Sequence, residues 1–426
     1  MSPTRKKAKH SPRKNNLKRQ SNSEDVSCKL AKAVISEHVE QQASMIRNFT
    51  EACKQVSCST YPDHRAQLLK YYLPSCMNKR VCKHKDRNGI DIQEMSHYAE
   101  ESFSIEMKNY KWYKALKVCQ TSITPNQYLP ANVLKDVVEI MLNIHDDEFS
   151  EYTTPHIIDK CQQILHQNFS THPPCAVKSL RSCYFSFLIS PMDLKENTFT
   201  NRVQYECRSG IVKYCLNRLE NEISSDSKDG PLFNKCEKIP ENTKQGLVGL
   251  HWQKQKFEIY ELLNRWDRIE RLMAVLESIV ELLQFDLASW CSRYTNNLTR
   301  HILKSHKPLM AFILWSDNIL YTGVVTANCR QIMRLFVQLI HQQYPESKIK
   351  IITKWLSLMI QTFYICEKDS IRNPNTTMIC TKFANEFYKI ISEMPQESIN
   401  RILDKIEPVF MRHLVGILHA ENLTKS

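Results

Sequence analysis

The stretch from Arg5 to Gln20, RKKAKHSPRKNNLKRQ, holds eight Lys or Arg and no acidic residue. Its cations fall into two clusters: Arg5, Lys6, Lys7 and Lys9, then Arg13, Lys14, Lys18 and Arg19. Two basic clusters on a short spacer suit a nuclear import signal, because an import receptor reads extended Lys and Arg in acidic pockets. The same charges supply weak, sequence-independent contact with DNA phosphates. Ser11 precedes Pro12, Arg13 and Lys14, a context for a proline-directed kinase. A phosphate there would weaken both import and phosphate binding by adding negative charge among the cations.

A second constellation is Cys53, Cys58, His64, Cys76, Cys82 and His84, four thiols and two imidazoles within 32 residues. These are the donor types of a tetrahedral zinc site, but their spacing fits the usual ligand frame poorly. A helix-like HRAQLLKYYL also lies between them. The expectation is therefore ordinary thiols and no structural metal. His145, Asp146, Asp147 and Glu148 put an imidazole beside three carboxylates. Adjacent helical residues point to different faces, so this reads as a solvated acidic turn. No H-E-x-x-H, G-x-S-x-G, G-x-x-x-x-G-K-[ST] or G-x-G-x-x-G occurs, which removes the motif-based cases for zinc hydrolysis, acyl transfer and nucleotide binding. The expectation is a protein without enzymatic activity or cofactor.

The elements that carry these residues are helical. The 426 residues include only 7 glycines, against about 30 at average usage. Glycine serves positive φ and phosphate-cradling turns, so its scarcity disfavours β-sandwiches and Rossmann units together. Apolar residues at three-to-four spacing recur instead, as in Val133, Leu134, Val137, Val138, Met141 and Leu142. The fold class is all-α: an irregular α-solenoid or two packed helical bundles behind a disordered basic tail.

Residues 1–24 form the tail, 25–223 a first helical half, 224–250 a linker and 251–421 a second helical half. The linker holds three of the seven glycines and two prolines, the strongest break in the chain. The first 20 residues contribute eight of the thirteen net positive charges, leaving +5 for the other 406 residues. The folded part thus need not be a nucleic-acid surface. The segment RLMAVLESIVELLQFDLASW, residues 271–290, is apolar on most sides. Glu277, Glu281 and Asp286 within it are costly at membrane depth, so it reads as a central packed helix and no membrane span is expected.

The 16 cysteines include no C-x-x-C pair, and the N-terminus lacks an apolar signal region. Reduced thiols in a cytosolic or nuclear protein are the expectation, many of them small buried hydrophobes. The N-x-S/T matches at Asn48, Asn168, Asn297, Asn375 and Asn422 are then chance occurrences. The tryptophans and Tyr113 are spread one or two per helix. That is core usage, without the Lys and Arg interleaving of a single-strand stacking platform.

NYKWYKALKVCQTSI, HPPCAVKSLRSCYFSFLISPM and RLMAVLESIVELLQFDLASWC, in that order, resemble the C-terminal helical region of the SUMO-interacting-motif-containing proteins. Those are similar to Nse-type regulators of a structural-maintenance-of-chromosomes complex that acts in DNA repair. The resemblance covers roughly residues 100–370. It implies a helical scaffold that pairs with a second helical subunit and recruits the complex to chromatin. The family's acidic-flanked Val/Ile strand has only KAVISEH and GIDIQE as counterparts here. A second likeness, to helical subunits of the RNA polymerase I promoter selectivity factor, rests on the W-x-x-A-L at residues 112–116.

Overall fold

The computed structural model describes residues 92–109, 111–144, 152–174, 177–189, 210–224, 260, 263–294, 306–315, 324–366 and 381–423. Among these lie thirteen helices and a single pair of two-residue strands, so the chain is all-α. Strand β1 (Gln93–Glu94) pairs in parallel with β2 (Gln127–Tyr128). The helical order is α1 (His97–Lys108), α2 (Trp112–Ser122), α3 (Ala131–Asn143), α4 (Thr154–Thr171), α5 (Lys178–Ile189) and α6 (Ile211–Ser224). It continues with α7 (Arg265–Tyr294), α8 (Leu309–Leu314), α9 (Ala327–His341), α10 (Glu346–Cys366), α11 (Thr381–Ile391), α12 (Gln396–Lys405) and α13 (Val409–Leu423).

Local chemistry sets many of these ends. Ser96 caps α1, its Oγ accepting from the Ala99 N–H at 3.3 Å, which satisfies one of the first-turn donors that lack an intrahelical partner. Thr326 does two jobs. Its Oγ1 accepts from the Cys329 N–H at 3.4 Å and donates to the Leu314 carbonyl at 2.8 Å, joining the end of α8 to the start of α9. Pro130, Pro308 and Pro395 occupy N-cap positions, where an absent N–H costs nothing. Thr153 precedes α4 without a side-chain cap, and Pro155 sits in the first turn. Helix α12 ends at Lys405 and α13 begins at Val409, with Pro408 between them, which cannot continue α12 into α13.

Helix α9 ends in a Schellman motif: Gln343 at φ +58° lets Tyr344 N–H reach the Leu339 carbonyl at 2.9 Å, while Gln343 N–H bonds the Ile340 carbonyl. Glycine usually occupies that left-handed position. Glycine is used at Gly210, where φ is +83° and an added Cβ would lie 2.6 Å from the Ile189 carbonyl oxygen. Its backbone therefore approaches the C-terminus of α5 as no other residue can.

Helix α7, 30 residues long, is the axis of the molecule. It packs against α3, α4 and α6 from the earlier part of the chain and against α8 and α10 from the later part. Leu272, Met273, Leu276, Ile279, Leu283 and Leu287 along it are fully buried or nearly so, each worth about 2 kcal/mol in transfer free energy. A second centre is α9, touched by α6, α10, α11 and α12. Helices on both sides of the 224–250 stretch therefore share one continuous core. Residues 225–250 lie outside the described set. The central-helix reading of residues 271–290 holds, and no described helix is long and apolar enough to cross a membrane.

Candidate interaction surface

The ionisable and polar groups inside the body tie helix ends together. Asp286 on α7 is buried; its Oδ2 accepts from the Leu309 N–H at 2.6 Å and its Oδ1 from Arg181 Nη1 at 3.2 Å. Burial raises its carboxyl pKa, and Arg181 opposes the rise. Arg181 also donates to the Lys307 carbonyl, and Trp290 Nε1 to the His306 carbonyl at 2.6 Å. The segment entering α8 is thereby fixed to α5 and α7. Farther along, Arg271 Nη1 reaches the Leu142 carbonyl at 3.0 Å, placing a buried cation at the negative end of α3. Arg268 clamps Glu222 with Nε and Nη2 at 2.7 and 3.0 Å, the bidentate geometry that gives Arg–carboxylate pairs their specificity.

Asn168 forms another such clip. Its Oδ1 accepts from Leu129 N–H at 2.9 Å and its Nδ2 donates to the Tyr184 hydroxyl at 3.2 Å. The Tyr184 hydroxyl donates on to the His172 carbonyl at 2.6 Å, and His172 Nε2 bonds the Thr124 carbonyl at 2.6 Å. A fully buried Asn168 is no acceptor for a glycan. The thiols of Cys119, Cys161, Cys183, Cys215, Cys291 and Cys329 are free and buried. Burial pushes those of Cys119, Cys161, Cys183 and Cys329 well up, which removes the thiolate a reactive cysteine needs.

Two pairs resemble catalytic partners. His341 Nδ1 lies 3.1 Å from Ser398 Oγ, and His166 Nδ1 lies 2.8 Å from Glu281 Oε1. Ser398 is buried where α12 meets α9. Among the described residues no hydrogen-bonded carboxylate orients His341, so the third member of a nucleophile–base–orienter relay is missing. Both pairs act as cross-helix clips. Among the described residues, no group of three or more His, Cys, Asp or Glu is placed to hold a metal ion.

The outer edge of the molecule differs. Among the described residues the exposed large hydrophobics are Tyr98, Ile105, Tyr152 and Val324. Tyr98 (82% exposed) and Ile105 (48%) stand two turns apart on the outward face of α1, while Phe103 and Met107 on its inner face are buried. Beside them, on α2, Tyr113 stacks on Tyr152 with ring centroids 3.9 Å apart, and His156 lies 5.1 Å from Tyr152. Lys117 Nζ sits 5.0 Å from the Tyr113 centroid. Lys108, Lys111, Lys114 and Lys117 are all exposed around these rings. This corrects the sequence reading of the aromatics: at α2 they do alternate with lysines. The string KNYKWYK carried the signal, but the cluster is completed by Tyr152, just before α4, and His156, in its first turn.

The basic residues Arg5, Lys6, Lys7, Lys9, Arg13, Lys14, Lys18 and Arg19, with Ser11, lie outside the described residues. So do Cys53, Cys58, His64, Cys76, Cys82 and His84, the His145–Glu148 turn, and KAVISEH. Of GIDIQE, Ile92 is buried in the core and Gln93–Glu94 form β1. The side chain at Ile92 is therefore committed inward.

No protein-family model matches the chain, and no solved structure matches it. A curated relative, Lon protease of Buchnera aphidicola subsp. Baizongia pistaciae (strain Bp), is 25% identical over 207 residues. The match covers 46% of this chain and 25% of that protein, so the chain spans about a quarter of the length of the relative it matches.

Proposed function

We propose that the protein is a nuclear, non-enzymatic helical adaptor that pairs with a second helical protein and brings a chromosome-maintenance complex to sites of DNA repair. The observation that carries this reading is the outward face of α1, where Tyr98 and Ile105 stand in solvent two turns apart. A helix of a partner seats on such an i, i+7 pair of anchors. Asp286, Arg271, Arg268 and Asn168 are engaged in holding helix ends and segments together, which suits a rigid support more than a reaction centre. The basic tail provides nuclear import and weak DNA contact. The likeness to Lon protease supports an enzyme poorly, since it covers 25% of that protein and the Ser398–His341 contact, with His341 exposed, joins α12 to α9.

The test is purification of the tagged full chain from nuclear extract, comparing the wild type with a Tyr98→Lys/Ile105→Lys double variant. Subunits of a structural-maintenance-of-chromosomes complex should accompany the wild type and be depleted at least tenfold from the variant. The variant should keep the wild-type melting temperature, since both residues are exposed. Recovery of polymerase I promoter factors would transfer the reading to that assembly. Deleting residues 1–20 should abolish nuclear accumulation and leave folding intact.

A further inference from the structure

We infer that the corner formed by α2 and the start of α4 binds single-stranded nucleic acid, with lysines on the phosphates and Tyr152 under a base. The site uses residues other than the Tyr98–Ile105 pair of α1.

The argument begins with charge. Lys111, Lys114 and Lys117 are exposed, and their three-residue spacing sets them along one side of α2 over about 9 Å of helix axis. Lys108 extends the row from the last turn of α1. Three lysines elsewhere on the body pair with glutamate, Lys348 with Glu270, Lys389 with Glu386 and Lys405 with Glu346, whereas Lys213 and Lys350 are exposed with no carboxylate partner among the described residues. None of Lys108, Lys111, Lys114 and Lys117 has a carboxylate partner among the described residues. Asp159, one turn beyond His156, is an exposed acid on the adjoining helix. A lysine row alone is an ordinary solvated face.

The rings change that reading. The centroids of Tyr113, Tyr152 and His156 are 3.9, 5.1 and 5.7 Å apart, and the ring planes lie within 29° of parallel. A column of three rings would set its end members as far apart as the sum of the two shorter spacings. The observed centroids form a triangle instead, so the face of Tyr152 turned away from Tyr113 is not covered by His156. Tyr152 is 36% exposed. Its ring is held rigidly by the stack, so little rotamer freedom remains to be lost on binding. A partly exposed ring beside cations that lack a carboxylate partner among the described residues matches the alternation of base and phosphate in a single strand. An acidic polypeptide would use the lysines and leave the ring idle.

The test uses the full chain with its eight tail cations replaced by Gln, which removes the competing electrostatic contact. Binding of a twelve-residue thymidine oligonucleotide is compared with that of an abasic strand of equal length and charge. Tight binding of the first and roughly tenfold weaker binding of the second is expected, from the energy of stacking one base. Tyr152→Leu should abolish that difference and Tyr152→Phe should retain it. Lys111→Gln/Lys114→Gln should weaken both strands and lower the salt slope by about 1.4, at roughly 0.7 per phosphate contact. Equal affinity for the two strands, an unchanged preference in Tyr152→Leu, or binding of polyglutamate as tight as that of the oligonucleotide would overturn the proposal. These substitutions are at exposed or half-exposed positions, and a melting curve for each variant confirms that the fold is kept.

Discussion

The axis of the molecule around α7 and its edge at α1 and α2 use polar residues in opposite ways. On the axis, Asp286, Arg271 and Arg268 each meet a helix end or a carboxylate with defined geometry. At the edge, Lys111 and Lys114 are exposed with no carboxylate partner among the described residues, and Tyr98 projects into water. Buried charge must be hydrogen-bonded or it opposes folding, so the axis has little freedom to interact elsewhere. Surface charge and surface rings are under no such constraint. In this protein, recognition is therefore sought at the edge and stability at the axis.

The contrast breaks most sharply at Asp286. Asp286→Ala would leave Arg181 and the Leu309 N–H without their shared acceptor and should cost about 3 kcal/mol, read from urea unfolding. Gly210→Ala should cost about 2 kcal/mol, because the methyl would collide with the α5 carbonyls at a positive φ. Recovery of the wild-type midpoint in that variant would show that α5 and α6 can separate at no cost. In the other direction, Gln343→Gly should raise stability by about 0.5–1 kcal/mol, since it relieves a left-handed side-chain residue within an intact Schellman motif.

The smallest effect concerns pH. Burial lowers the pKa of His419 below its ordinary 6.5, and Gln396 Nε2, a donor, lies 2.8 Å from its Nε2, which must then accept. The unfolded chain binds the proton more readily, so this contribution is complete above pH 6.5 and is lost as pH falls toward the folded-state value. His419→Gln should flatten the stability profile just below pH 6.5, measured by thermal melts in a buffer series.

Much of the axis was legible in the sequence. The 271–290 segment was apolar on most sides, which suits a helix packed by neighbours on several sides, and its carboxylates spoke against a membrane span. Their individual fates were not legible. Glu277 is exposed, Glu281 pairs with His166, and Asp286 is buried as a remote cap. Asn168 read as a chance glycosylation match and proved to be a buried clip, a role set by contacts with Leu129 and Tyr184 on other elements. The edge was less legible still. Tyr113 looked like one more core anchor, because nothing in its own helix announces Tyr152 above it.

Glycine scarcity, three-to-four periodicity and the placement of Pro, Ser and Thr determined by themselves that this chain is helical and where many helices begin. These are local properties, fixed by backbone sterics and by first-turn hydrogen bonding within a few residues. Tertiary structure alone decided that α7 would be the axis, which carboxylate would be buried, and which exposed lysines would stand beside the Tyr113–Tyr152 stack. Those outcomes depend on how helix faces far apart in the sequence pack together, and no window of sequence contains both partners of such a contact.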